Sequence, residues 1–195
     1  MRQLVFLICF IWALPAAALL VGETVSSVKM VDSNGTTHNL TDYRGKVVVL
    51  EWTSPVCPYS QYHYATGQMQ KMQQAAQDAG HVWLSISSTG PSHPGFMDAA
   101  KADDFMKEKG AVPTTLMLDS QGMLAQIFKA KTTPHIAILN KEGVLVYVGA
   151  FDSNSAPRAS LSRVVNYVEQ ALNDLAAGQT VQTPLTRPYG CLIKY

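Results

Sequence analysis

The chain has 195 residues, 47% of them hydrophobic and 15% charged, which is enough apolar content to build one domain around a sizeable core. Its formal net charge is +1, from 15 basic and 14 acidic residues with no long run of one sign. That balance excludes the strongly basic surface expected of a nucleic-acid or membrane-surface binder.

Residues 1–18 stand apart. Arg2 precedes an apolar run from Leu4 to Leu14, followed by Pro15 and Ala16-Ala17-Ala18. A short basic start, an apolar stretch and a small-residue site make the pattern of a secretory signal, with cleavage expected after Ala18. A membrane anchor is the alternative, but the run is short for a bilayer. Cys9 lies inside the run, without the small residues that precede a lipoprotein cysteine, and would be lost with the signal. The exported chain, expected in the periplasm, would keep Cys57 and Cys191, with 14 basic and 14 acidic residues. Disulfides persist in such a compartment. A redox protein and a purely structural disulfide both fit.

In chain order, Asp32-Ser33-Asn34-Gly35 is a turn signal and predicts a hairpin between short strands near Val28 and Thr37. Val47 to Trp52 reads as a buried core strand. A turn-like Thr53-Ser54-Pro55 follows, then Cys57-Pro58 at the start of a helix. Tyr62, Ala65, Met69, Met72 and Ala76 fall on one face of that helix, which is expected to run to Gly80. The methionines are read as core filler. His81 to Ser87 is a second strand, Ser88 to Gly95 a loop, Met97 to Lys109 a helix closed by Gly110, and Thr114 to Leu118 a third strand. A helical turn is expected over Leu124 to Lys129. Ile136 to Leu139 and Val144 to Val148 form a hairpin across Asn140-Lys141-Glu142-Gly143. A last helix should bury Leu161, Val164, Val165, Val168, Leu172 and Leu175. The order β-α-β-α-β followed by a hairpin predicts an α/β fold: a mixed sheet with helices on both faces. The domain spans residues 19–178. Residues 179–195 form a tail without regular pattern that carries Cys191.

Cys57 sits at a strand-to-helix turn. Unpaired N–H groups and the helix dipole favour an anion there. The thiol should therefore ionise below its free value of about 8.5 and supply a nucleophilic thiolate. The bland alternative is a small buried hydrophobe. Glu51, after four aliphatic residues in a core strand, is a costly carboxylate to bury. It is either a raised-pKa acid that exchanges a proton with Cys57 or a strand-end side chain that reaches water.

A strand ending in Glu51-Trp52, a cysteine at a helix start, and Thr132-Thr133-Pro134 before a hairpin resemble the thioredoxin fold. Within it the chain is similar to the redoxin branch, also called the alkyl hydroperoxide reductase/thiol-specific antioxidant branch, with peroxiredoxin-like features. Three segments carry the likeness: Cys57-Pro58, Lys131 to His135, and Tyr189 to Tyr195. The resemblance implies that Pro134 is cis and that its loop lies against Cys57. The Thr133 backbone would then meet an extended substrate, with Trp52 and Pro58 nearby; an ordinary strand-leading proline is the alternative. Ser60 stands where thioredoxin-type oxidoreductases carry a second cysteine. Ser54 fits the hydroxyl position of the peroxiredoxin motif, whereas Leu50 replaces its proline. Arg44, Arg158, Arg163 and Arg187 are candidates for the peroxiredoxin arginine without a matching motif.

The function expected is an exported oxidoreductase, either a thiol peroxidase or a thiol–disulfide oxidoreductase, needing no cofactor and no metal. Cys57 would attack a peroxide or a protein disulfide. Cys191 would resolve the product, a flexible tail letting it approach and withdraw, and an external dithiol reductant would regenerate both thiols. The alternative is a non-catalytic binding module for copper or a partner, with a static Cys57–Cys191 disulfide that would contribute about 4–5 kcal/mol by closing a long loop. Thr53 occupies the place of the first cysteine of copper-delivery relatives. His63 and His135 are weak candidates, and His38, His81 and His93 read as surface or strand-end residues.

Overall fold

A computed structural model describes residues 19–155 and 164–195. Its centre is β3 (Val48–Trp52), a five-residue strand buried on both faces, as its unbroken aliphatic run requires. β3 pairs in parallel with β4 (Val82–Ser87), and β4 in parallel with β5 (Thr115–Leu118). On its other side β3 runs antiparallel to β7 (His135–Leu139), which forms the expected hairpin with β8 (Leu145–Gly149). The sheet order is β5-β4-β3-β7-β8. β1 (Lys29–Val31) and β2 (Thr37–Asn39) form the short hairpin predicted around Asp32, whose carboxylate accepts the backbone N–H groups of Asn34 and Thr36.

Helices cover both faces. On one face Tyr64, Met69, Phe105 and Val168 pack against Val49, Trp83 and Ile138. On the other, Met30, Leu124 and Phe128 pack against Leu50, Trp52 and Leu84. Burying each such side chain stabilises by about 1.5–3 kcal/mol. The mixed sheet and flanking helices are the α/β thioredoxin-like fold expected. Among the described residues no helix is long and apolar enough to cross a membrane.

Three expectations need correction. The single helix after Cys57 is two, α1 (Pro58–Ala65) and α2 (Gln68–Asp78), broken at Gly67 with φ +73°. The break rotates the buried face: α1 buries Ser60, His63 and Tyr64, and Ala65 is exposed, while Met69, Met72 and Ala76 of α2 are buried as read. After α3 (Ala99–Lys109) and α4 (Met123–Ile127), the last helix α5 begins only at Tyr167 (Tyr167–Ala176). Asn166 caps it by accepting the Glu169 N–H, so Val164 and Val165 precede the helix and Val165 is exposed. Leu161 lies outside the described residues.

The tail is the third correction. It is stitched along the domain rather than loose. Val148 exchanges backbone hydrogen bonds with Pro184 and Thr186. β9 (Cys191–Leu192) then pairs antiparallel with β6 (Thr132–Thr133), the Ile193 N–H reaches Lys131 and the Gly90 N–H reaches Lys194. The Tyr195 ring lies on Gly122, where a Cβ would come within 2.1 Å of it.

Candidate active site

Cys57 is the N-cap residue of α1, with extended backbone (φ −84°, ψ 116°), and Pro58 occupies the first helical turn. Proline is pre-set for that position and lacks an N–H that would have had no partner. The turn from β3 thus delivers the Cys57 side chain beneath the Thr133–Pro134 loop, where the peptide bond is cis. The Cys57 thiol donates to the Thr133 carbonyl at 2.9 Å and is fully covered.

Thr133 is paired with Cys191 across the β6–β9 ladder. The ladder needs Gly190: its φ is +121°, and a Cβ there would stand 2.0 Å from the Thr133 carbonyl oxygen. The pairing brings both cysteines to the same residue, Thr133, and both thiols are free. Their environments push them apart. Burial opposes ionisation of Cys57, but hydrogen bonds from the Cys191 thiol, the Thr133 side chain and the Ser60 and Cys191 backbone outweigh it and hold its pKa below the ordinary thiol value. The Ser60 N–H belongs to the first turn of α1 and favours the thiolate without completing a cap bond to the neutral thiol. Cys191 is pushed up to about 12, first by burial and then by its bond to Cys57 and the charge there.

A cleft of about 310 Å³ opens over this pair, lined by Ser54, Val56, Thr89, His93, Cys191 and Lys194 among others. Cys191 is partly exposed to it, whereas Cys57 lies underneath. Ser54 accepts the Val56 N–H at 3.4 Å, and its carbonyl accepts the Cys57 N–H at 3.3 Å, so it shapes the turn that presents the thiol.

Trp52 is placed differently from the expectation. It is fully buried, packs at a tilt on Phe128 and edge-on to His135, and donates its indole N–H to Ser88 at 3.0 Å, so it belongs to the core and not to a substrate surface. Glu51 is also fully buried. Its carboxylate accepts from Tyr64 (2.8 Å), Trp83 (2.8 Å), Ser85 (2.9 Å) and Gln73 (3.2 Å). Burial raises its pKa against these four donors, and no hydrogen bond joins it to Cys57. Arg44 donates to the carbonyls of Val25 and Glu142, at the far end of the domain, and no arginine lines the cleft among the described residues. Arg158 and Arg163 lie outside the described residues, and Arg187 is exposed on the tail.

Sequence reasoning missed an anchor. The Tyr189 phenol donates to Asp152 and lies 3.0 Å from His63 Nε2, both of them buried. The Tyr59 ring packs on Tyr189 at 5.7 Å. Burial lowers the His63 pKa despite the nearby Asp152 charge. This anchor stands two residues from Cys191. It joins α1, the segment after β8 and the tail, so no local spacing signals it. His93 was also undervalued. It lines the cleft, and its Nδ1 accepts the Gly95 N–H at 3.1 Å, which leaves the proton of the neutral ring on Nε2.

The α/β sheet and the cysteine at a helix N-terminus beside a cis proline define a thioredoxin-fold, thiol-based oxidoreductase. The model of the Redoxin family matches residues 20–165, and the chain belongs to that family. It is 29% identical over 129 residues, 60% of this chain and 73% of the relative, to the thiol-disulfide oxidoreductase ResA of Geobacillus thermodenitrificans. Among solved structures it is similar to an uncharacterized conserved protein of Geobacillus kaustophilus, with a TM-score of 0.80 at 19% identity over 94% of this chain and 97% of that one. It is also similar to a hypothetical protein of Sinorhizobium meliloti 1021, with a TM-score of 0.77 at 20% identity over 92% and 96%.

Proposed function

We propose that the protein is an exported thiol–disulfide oxidoreductase in which Cys57 is the nucleophile and Cys191 the resolving thiol. The observation that carries this reading is that Thr133 accepts the Cys57 thiol on its carbonyl and pairs with Cys191 in the β6–β9 ladder, with the Cys57 pKa held below and the Cys191 pKa above the ordinary thiol value. The likeness to a thiol-disulfide oxidoreductase supports a disulfide substrate over a peroxide. The signal-like pattern of residues 1–18 supports export to the periplasm.

The Cys57 thiolate attacks one sulfur of a protein disulfide, forms a mixed disulfide and releases the other sulfur as a thiolate. The negative charge on Cys57 is then gone. So is the hydrogen bond that Cys191 gave to it. Both had held the Cys191 proton in place, so Cys191 now ionises more readily and its proton passes to the released thiolate. The Cys191 thiolate attacks the Cys57 sulfur, closes the Cys57–Cys191 disulfide and releases the second substrate thiolate. Two protein thiols are oxidised and one substrate disulfide is reduced. An external dithiol reverses the protein step by attacking the more accessible Cys191 sulfur, with Cys57 as the stabilised leaving thiolate. Because Cys57 is covered, β9 opens from β6 to admit a protein substrate, which breaks the Cys191 hydrogen bond at the outset, and pairs again to bring Cys191 to the Cys57 sulfur.

The test is an acid-quenched reaction of the reduced protein with oxidised glutathione, and separately with hydrogen peroxide, read by intact mass and peptide mapping. The expected result is a Cys57–Cys191 bond in the wild type and a glutathione adduct confined to Cys57 in Cys191→Ser. An adduct forming equally on Cys191 in Cys57→Ser would overturn the assignment of the nucleophile. Rapid closure with peroxide and none with glutathione would move the reading to a peroxidase. Failure of both oxidants to close the bond would leave the non-catalytic binding module. N-terminal sequencing of the secreted product is expected to begin at Leu19.

A further inference from the structure

A cavity of about 510 Å³, lined by neither thiol, is bounded by residues 19–21, the chain after α4 and tail residues 184–188. Its walls are apolar, with Leu20, Val21, Phe128, Val148 and Leu185 among the lining residues. Leu20 is 55% and Leu185 69% exposed, so the cavity opens through an apolar rim that a water-filled pocket would not need. The polar groups at the cavity are few. Thr186 Oγ1 is occupied by the Tyr147 hydroxyl and the Ala150 N–H. The Val148 N–H and carbonyl are taken by Pro184 and Thr186.

His135 is the exception. It is 2% exposed and lines the cavity, yet neither ring nitrogen has a hydrogen-bond partner among the described residues. A buried polar group left without a partner is destabilising, so the site favours a ligand that supplies one. Burial, with Lys131 nearby, holds His135 down to about 4, so the ring is neutral and offers one donor and one acceptor. Lys129 and Lys131 are both exposed at the cavity, and among the described residues no acidic residue lines it.

We propose that this cavity is a binding site for an apolar carboxylate of the fatty-acid class, its chain against Phe128, Val148 and Leu185, its carboxylate hydrogen-bonded to His135 and neutralised by Lys129 or Lys131. The apolar walls supply affinity for the chain, and the lysines with the unpaired imidazole select the anionic head. A flat membrane surface satisfies the exposed leucines but leaves the His135 nitrogens buried and unpaired, so a single amphipathic molecule is the better fit. The inference is independent of the thiol chemistry.

The test uses the purified protein and dodecanoate kept below its micelle concentration. Isothermal calorimetry should give saturable binding at one site. Dodecyltrimethylammonium, with the same chain and opposite charge, should bind at least about tenfold more weakly, as should dodecanoate to His135→Phe. In wild-type protein, the imidazole resonances of His135 should move on titration while those of the other four histidines stay in place, a readout that does not depend on the variant folding. Equal affinity for the cationic probe, or an unmoved His135 at saturation, overturns the proposal. So does sedimentation with phosphatidylglycerol vesicles in the absence of saturable dodecanoate binding, which would make the rim a membrane contact.

Discussion

Thr133 is paired with Cys191 in the β6–β9 ladder while its own carbonyl accepts the Cys57 thiol at 2.9 Å. One residue thus positions both sulfurs, and the loop that carries it is the segment Lys131 to His135 that stands out in the sequence. The distance between the thiols is governed by strand pairing and not by a short Cys-x-x-Cys turn. That explains how a chain with Ser60 at the usual second-cysteine position still brings two thiols together.

The hydrogen bond from Cys191 sets part of the Cys57 pKa, so its removal should be visible. Cys191→Ser keeps a hydroxyl donor; Cys191→Ala does not. Thiolate absorbance at 240 nm, followed against pH, should titrate Cys57 below the ordinary thiol value in Cys191→Ser and higher in Cys191→Ala. Coincident curves would show that the Cys191 position contributes no hydrogen bond to the thiolate.

Glu51 should act on stability and not on the thiol. Glu51→Ala leaves four buried donors without their acceptor and should cost about 3–5 kcal/mol in urea unfolding. Burial raises the Glu51 pKa above its ordinary 4.5. The folded state therefore binds this proton more tightly than the unfolded chain, and the resulting stabilisation is full at low pH and lost as pH rises through the raised value. The stability of wild type relative to Glu51→Gln should fall over that interval. The Cys57 titration should be the same in both proteins, because no hydrogen bond links the two groups.

Much of this was legible because the signals are local. The aliphatic run before Glu51, the turn at Asp32 and the Asn140-to-Gly143 hairpin each carry their own chemistry, and the strands they predict are present. Cys57 at a helix start followed from a single strand–turn–helix segment. The misreadings are tertiary. Tyr62 and Ala65 continue the spacing of Met69 and Met72, but Gly67 adopts positive φ and resets the helix. Trp52 stands beside the site in sequence, yet strand alternation turns it to the opposite face of the sheet. The tail has no periodicity because its order comes from partners far away in the chain: Thr133, Lys131, Gly90 and the His63–Asp152 pair.

That last pair makes the tail's attachment testable. Tyr189→Phe keeps the ring against Tyr59 but loses the hydrogen bonds to Asp152 and His63. A hydrogen bond to a charged group is worth about 1.5–3 kcal/mol, so opening of the tail should become at least about tenfold more frequent. Alkylation of the covered Cys57 by iodoacetamide should accelerate by a similar factor, with the midpoint of global unfolding shifted far less. An unchanged alkylation rate would mean that the tail does not gate the thiol.

Gly190 provides the sharpest separation of nucleophile from resolving thiol. Any side chain there meets the Thr133 carbonyl, and the backbone at φ +121° is one that L-residues rarely adopt. Gly190→Ala should therefore separate β9 from β6 and carry Cys191 away from Cys57. The domain core does not involve this residue, so the sheet should persist with near-native circular dichroism. Cys57 would then be uncovered and still at the start of α1, with the Ser60 N–H in place but without the Cys191 bond. Mixed-disulfide formation with oxidised glutathione should continue at Cys57, and closure to Cys191 should slow by about tenfold or more, because the effective concentration of the second thiol falls once the tail is no longer held. The product caught at short times should be the glutathione adduct rather than the internal disulfide. If closure remains as fast as in wild type, strand pairing at Thr133 is not what positions Cys191, and the residues that hold the tail must be sought at its other contacts, Lys131 and Gly90.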